Sequence, residues 1–239
     1  MQRFLSMTEP WPVHTIVFDL DDTLYRESDF VRSGFVAADA WLRRERGIHG
    51  FLDPAQRLFA AGQRWTIFNQ VLAEVGVLES DALVRALIAV YREHEPVLSL
   101  EPEAEAVLAW AENRFRLALI TDGFAGVQAR KIRALGLDRR IACRIISDEM
   151  GREFWKPHPA AFRRVMEALP GPADGFVYVA DNPRKDFIAP RELGWRTLRL
   201  RRPGGEHSTY VASENEAAER EVASLAELPS CFRAVQVSR

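Results

Sequence analysis

Asp19 and Asp21 stand two residues apart at the end of the run Ile16-Val17-Phe18-Asp19-Leu20-Asp21-Asp22-Thr23-Leu24. The preceding apolar residues have the length of a buried strand, and period-two spacing lets both acids point the same way. Carboxylates at such a place are costly unless paired, hydrogen-bonded or bound to metal. Three other places carry polar groups near the ends of apolar runs. Thr121-Asp122-Gly123 follows Leu117–Ile120, Asp181-Asn182 follows Phe176–Ala180, and Lys156-Pro157 lies in the loop after Ala142–Ile146. An open parallel sheet binds ligands beyond the carboxyl ends of its strands, so these residues are expected on one rim. Two acids, a third at Asp181 and a nearby lysine make a hard-oxygen site suited to Mg2+.

The elements that must position these groups alternate. Strand-length apolar runs at Thr15–Phe18, Leu117–Ile120, Ala142–Ile146, Phe176–Ala180 and Arg196–Leu200 are separated by helical patterns at Glu103–Asn113, Ala125–Leu135, Ala160–Leu169 and a segment through Leu193. Several strands are apolar on both faces, as in a parallel sheet covered on each side, and right-handed crossovers make the sheet doubly wound. Between Tyr25 and Pro96 only helical periodicity appears. Its stripes are Phe30, Phe35, Ala38, Trp41 and Leu42, then Leu58, Trp65, Ile67, Phe68, Val71 and Leu72, then Leu83, Leu87, Val90 and Tyr91. They are read as core packing, with turns at Gly47–Asp53 and Val75–Ser80. The tail from Glu214 to Glu227 has an amphipathic helical pattern.

The 239 residues, 47% hydrophobic and 28% charged, suffice for one large or two small domains. A net charge of -2 gives no global field for nucleic acid or an anionic membrane, so phosphate recognition must be local. Cys143 and Cys231 show no metal-ligand spacing, which argues against a disulfide framework and fits a reducing compartment. Met1–Pro10 lacks the apolar stretch of a signal peptide, and a cytoplasmic location is expected.

Asp19-Leu20-Asp21-Asp22-Thr23, Thr121, Lys156 and Asp181 with Asp186 resemble, in order and placement, the four successive motifs of the haloacid dehalogenase-like hydrolase superfamily. The match runs from about Thr15 to Leu200. The resemblance implies an α/β fold, a doubly wound parallel-sheet, Rossmann-like core over residues 1–24 and 97–239, with the family's first type of helical cap domain inserted at 25–96. It implies that Asp19 is the nucleophile, forming an aspartyl-phosphate, and that Asp21 is the acid/base. Asp19, the Asp21 main-chain carbonyl and Asp181 would hold Mg2+. Asp186 would reach the metal through water or orient Lys156, with a helix N-cap as the plainer alternative. Thr121 and the neighbouring backbone at Asp122 and Gly123 would bind the phosphoryl oxygens, and Lys156 would neutralise charge. The Asp122 side chain is uninformative at this level.

Asp21 also separates branches of the superfamily, because a halide leaves without protonation and an ester oxygen does not. The expectation is a Mg2+-dependent phosphomonoester hydrolase acting on a sugar phosphate or nucleoside monophosphate, as monomer or homodimer. The alternatives are a phosphosugar mutase, a haloacid dehalogenase or a non-catalytic binding module. Tyr25, Arg26 and Glu27 fall at the expected hinge, and Arg32, Arg64 and Asn69 are candidate cap contacts to substrate. Phe154 and Trp155 are expected to pack, His158 to lie in an exposed loop, and Pro203–His207 to form a flexible loop.

Overall fold

Ile16, Val17 and Phe18 are completely buried, and the strand that they form is the centre around which the chain is wound. The computed structural model describes residues 9–77 and 81–236. In chain order, β1 (Trp11–Val13) and β2 (Thr15–Phe18) precede four helices, α1 (Glu27–Arg46), α2 (Leu52–Ala60), α3 (Ile67–Glu74) and α4 (Asp81–Glu93). Next come α5 (Pro102–Ala111), β3 (Arg116–Thr121), α6 (Ala125–Ala134), α7 (Leu137–Arg140) and β4 (Cys143–Ile146). The remainder is α8 (Ala160–Ala168), β5 (Phe176–Ala180), α9 (Ile188–Glu192), β6 (Arg196–Leu200), β7 (Arg220–Val222), α10 (Leu228–Cys231) and β8 (Phe232–Ala234).

Six strands form one parallel sheet in the order β4-β3-β2-β5-β6-β7. Thr15 is in register with Arg116 on one side and Phe176 on the other. The winding therefore reverses between β2 and β5, and the crevice beyond their carboxyl ends is where such sheets bind ligands. This is the α/β, doubly wound architecture expected from the alternation. Val17, Ala118, Ile120 and Tyr178 pack on Phe162 and Val165 of α8 and on Trp195. Trp195 stacks on Phe176 at 4.7 Å between centroids.

The contacts divide the chain into two units. The first contains the chain up to Arg26, Leu100–Gln128 and the chain from Gly136 onward; the second contains Glu27–Ser99 and Ala129–Leu135. Helix α6 is thus shared, its first turn belonging to the sheet unit. The second unit has its own core, with Phe35, Leu42, Phe51, Val71, Leu72 and Leu87 buried together. Helix α1 approaches α4 closely, because Gly34 offers no side chain where the Tyr91 ring lies. Among the described residues no helix is long and apolar enough to cross a membrane.

Two expectations change, and one pairing is new. The tail helix from Glu214 to Glu227 does not form; β7 joins the sheet beside β6, followed by a single 3-10 turn at Leu225–Glu227. Its acids have tertiary partners instead: Glu219 accepts from Thr197 N at 3.1 Å, and Glu221 pairs with Arg199 at 2.9 Å. Trp65, counted in an apolar stripe, is 98% exposed because it precedes α3 in the connection from α2. Beyond the large sheet, β1 and β8 pair as a small parallel ribbon that the sequence did not announce. The turn expected at Val75–Ser80 extends past Val77 outside the described residues, as do the first eight residues of the expected leaderless N-terminus.

Candidate active site

The expected residues are arranged by local turns at the ends of the strands. After β2, Thr23 N and Leu24 N both donate to Leu20 O, and Asp22 takes a left-handed φ of 55°. This tight turn returns Tyr25 beside Asp21, with which it forms an isolated bridge. From behind, Arg202 donates to Asp22 O at 3.2 Å and to Thr23 O at 3.4 Å, and is itself held by Glu103 at 2.7 Å. After β3, Gly123 has a φ of +116°, a conformation that side chains rarely adopt, and the chain passes into α6.

Asp19, Asp181 and Asp186 are buried, and each presents a carboxylate oxygen within 4.8 Å of the others. Lys156 enters from the loop after β4. Its Nζ lies 2.5 Å from Asp19 Oδ1, 2.8 Å from Asp186 Oδ1 and 2.9 Å from the Tyr178 hydroxyl. Burial opposes the lysine charge, but Asp186 and Asp19 overcome it and hold the ammonium well above its ordinary value. For Asp19 and Asp181 the same lysine offsets burial only in part. Burial pushes Asp19 up to about 7, against the pull of Lys156 and with Asp186 adding repulsion. Burial, then repulsion from Asp186 and Asp19, drives Asp181 well above the usual carboxylate range.

Of the three buried acids, Asp19 and Asp186 share the direct contacts of one lysine, Lys156, with Lys185 acting on both from further off. Three carboxylates this close together could hold a hard divalent cation, and an all-oxygen donor set of this kind fits Mg2+. Asp186 has a particular place here. Its Oδ2 accepts from Asn182 N at 3.0 Å while Oδ1 meets Lys156. It does not cap α9, whose N-cap position is Phe187 and receives no side-chain hydrogen bond. The geometry matches an acid that orients Lys156.

Asp21 lies outside this cluster. Tyr25 donates to its Oδ1, and Gln128 donates to its Oδ2 at 2.9 Å. The same Gln128 nitrogen reaches Thr121 Oγ1 at 2.5 Å. Asp122 contributes through its side chain after all: Oδ1 accepts from Ser147 Oγ at 2.6 Å and Lys156 N at 3.1 Å, while Oδ2 pairs with Lys185 at 3.2 Å. Burial disfavours its charge, yet Lys156, Lys185 and Ser147 keep its carboxyl below the ordinary value. It fastens the Lys156 loop to the end of β3. Trp155 is tied down nearby, its indole N–H donating to Asp148 Oδ1 at 3.1 Å. His158 Nδ1 accepts from Ala160 N at 3.2 Å at the start of α8.

Gln128, Tyr178, Lys185 and Ser147 escaped the sequence reading. Gln128 had a signal, a long polar side chain one turn into a helix that begins just after Thr121-Asp122-Gly123. Tyr178 had none, because a tyrosine within an apolar strand reads as core. A cavity of about 610 Å3 opens at the other end of the sheet, where β3 and β4 begin, and it contains none of the expected site residues. Its arginines have internal partners: Arg140 pairs with Glu105 and Glu112, and Arg116 donates to Pro170 O.

A family model, haloacid dehalogenase-like hydrolase, matches residues 13–194. The chain belongs to this family. As a haloacid dehalogenase-like hydrolase it is similar to phosphoserine phosphatase of Thermus thermophilus, 34% identical over 136 residues. That match covers 56% of this chain and 53% of the relative, so the chain spans about half the length of that protein. Glyceraldehyde 3-phosphate phosphatase of Methanocaldococcus jannaschii is 27% identical over 202 residues, covering 77% and 83% respectively. Among solved structures, a haloacid dehalogenase-type hydrolase of Bacillus subtilis, YfnB, bound to magnesium, superposes with a TM-score of 0.62 at 22% identity. The superposition covers 91% of this chain and 97% of that one, and shows the shared fold.

Proposed function

We propose that the protein is a Mg2+-dependent phosphomonoester hydrolase acting on a small phosphorylated metabolite, a sugar phosphate or a nucleoside monophosphate, through an aspartyl-phosphate on Asp19. The observation that carries this reading is the pairing of two differently placed acids. Asp19 lies in the buried Lys156 cluster, and Asp21 lies two residues on with both oxygens held by neutral donors. The two named relatives are phosphatases, which supports the same reaction class.

Asp19, Asp181 and the backbone near Asp21 would hold Mg2+, with Asp186 behind Lys156. When bound, the cation supplies positive charge that lets an anionic nucleophile meet an anionic substrate. Asp19 then attacks phosphorus, forming a P–O bond to its carboxylate as the bond to the ester oxygen breaks. Asp21 delivers its proton to that leaving oxygen and later takes one from the water that hydrolyses the acyl phosphate. Lys156 holds Asp19 in line and offsets the phosphoryl charge, and Thr121 with the backbone at Asp122 and Gly123 binds the phosphoryl oxygens. A carbon–halogen substrate would give Asp21 no leaving oxygen to protonate, because a halide departs as a stable anion, which is why the phosphate ester is favoured.

The test is turnover of 4-nitrophenyl phosphate and of a panel of alkyl phosphates with Mg2+. Turnover is expected to vanish with chelator and in Asp19→Asn. Asp21→Asn is expected to slow alkyl esters much more than the activated aryl ester. Silence of the wild-type protein across the whole panel would sink the reading.

A further inference from the structure

The carboxamide of Gln128 is buried, and its single nitrogen spans two groups that the proposed reaction uses for different purposes. A side-chain amide has two N–H donors. One points to Asp21 Oδ2 at 2.9 Å and the other to Thr121 Oγ1 at 2.5 Å. Thr121 ends β3, whereas Asp21 sits in the turn after β2, so the amide ties together two strand ends. The far oxygen of Asp21 is taken by the Tyr25 hydroxyl, leaving neither oxygen without a donor. Gln128 is itself placed firmly. Its backbone N–H donates to Phe124 O at 3.0 Å in the first turn of α6. The Ala125 N–H at the origin of that helix is held by Asp148 Oδ2 at 2.9 Å.

Burying a glutamine costs side-chain entropy and demands that its polar atoms be satisfied. An apolar residue of similar size would fill the space more cheaply, so the position has a reason beyond packing. We propose that Gln128 is a positioning residue for the hydrolytic reaction, fixing the Asp21 carboxylate relative to the Thr121 hydroxyl. The proton donor for the leaving oxygen and the hydroxyl that grips a non-bridging phosphoryl oxygen are then held in fixed relation to the same phosphorus. Gln128 neither gives nor takes a proton in this scheme. It acts by holding Asp21 where its proton can be used, and the inference rests on the hydrolase reading above.

Two variants test it: Gln128→Met, which keeps the length and loses the donors, and Gln128→Glu, which replaces the donor by a second anion. Each is assayed with Mg2+ on 4-nitrophenyl phosphate and on glycerol phosphate. Loss of alignment is expected to lower kcat on glycerol phosphate by about ten-fold or more, part of the roughly 10²–10⁴ that acid–base catalysis supplies. On the aryl ester, whose leaving group needs little help, kcat is expected to fall less than about three-fold, on the same Brønsted ground. KM is expected to rise equally for both, reflecting the loosened Thr121 hydroxyl. In an Asp21→Asn background, Gln128→Met is expected to add no further loss of kcat on glycerol phosphate. Equal kcat loss on both esters, or a fully multiplicative loss in the double variant, would overturn the role of Gln128 while leaving the hydrolase standing. A wild-type protein inert on both esters would overturn the two together.

Discussion

His14 shows how strictly single residues are held in the sheet unit, even far from the carboxylate cluster. Arg116 lies 2.7 Å from its Nδ1 and can only donate, so Nδ1 accepts and Nε2 carries the proton, donating to Pro172 O at 3.0 Å. Burial holds the imidazole below its ordinary value of 6.5, and Arg116 adds to this against the opposing pull of Pro172 O. The unfolded chain therefore binds the proton more readily than the folded one. Stability is complete above 6.5 and declines as the pH falls from there toward the lower folded value. Urea titrations of wild type and His14→Gln across this range are expected to diverge, with the wild type losing more stability on acidification. Parallel curves would exclude His14. No such role was legible beforehand, because a histidine flanking a strand carries no sign of which atoms it will meet. The places of Asp19, Asp21, Thr121 and Asp181 were legible, because buried strand ends make polar residues conspicuous, and Lys156 was legible through its motif in the loop after β4. Their partners Tyr178 and Lys185 were not, since those contacts depend on how distant segments come together, and Gln128 left only the signal of a polar side chain one turn into α6.

At the scale of elements, helices and strands were recognisable where local preference and tertiary demand agree. Thr15–Phe18 is continuously apolar and lies between two strands, so its pattern and its place coincide. The tail is the reverse case. Glu214–Glu227 has helical spacing, but Thr197 and Glu219 exchange two hydrogen bonds, at 3.1 and 3.0 Å, that draw the chain alongside β6. A side-chain period cannot report bonds made by a strand's own backbone. Helix packing in the second unit yields a prediction of the same order. A Cβ at Gly34 would stand 2.4 Å from Tyr91 Cδ2, inside the ring rather than against a flexible tip. Gly34→Ala gains helix propensity but must push α4 away from α1, and overpacking of this kind typically costs about 1–3 kcal/mol. A lower midpoint for unfolding of the helical unit is expected, followed by limited proteolysis within Glu27–Ser99. An unchanged midpoint would mean that the ring turns aside at little cost.

For the whole molecule the controlling quantity is the charge gathered at one end of the sheet. Without a cation the folded protein holds Asp19 at about 7 and Asp181 well above the usual carboxylate range, so it binds more protons than the unfolded chain as the pH rises above 3.8. Metal-free stability should therefore fall as pH rises through that range, the opposite direction to the His14 effect. Mg2+ bound at the carboxylates would compete with those protons, and binding to the native state alone would add about 2.7 kcal/mol at a hundred times Kd. The shift in Tm produced by Mg2+ is thus expected to be larger at pH 8 than at pH 5 in calorimetry. A shift independent of pH would remove the carboxylate cluster as the binding site.

The neighbouring of β2 and β5 also has a bearing on how the chain is made. β5 emerges about 160 residues after β2, roughly 8–30 s later at ordinary rates of synthesis. For most of that interval the strand leading to Asp19 has neither neighbour, since β3 ends only at Thr121, and from then until β5 appears it has β3 on one side alone. The helical core from Phe35 to Leu87, by contrast, lies within a contiguous stretch that is complete long before β5 appears. The nascent protein consequently carries an aggregation-prone strand edge after its helical bundle is nearly finished, and chaperone capture would be concentrated at chain lengths short of Ala180.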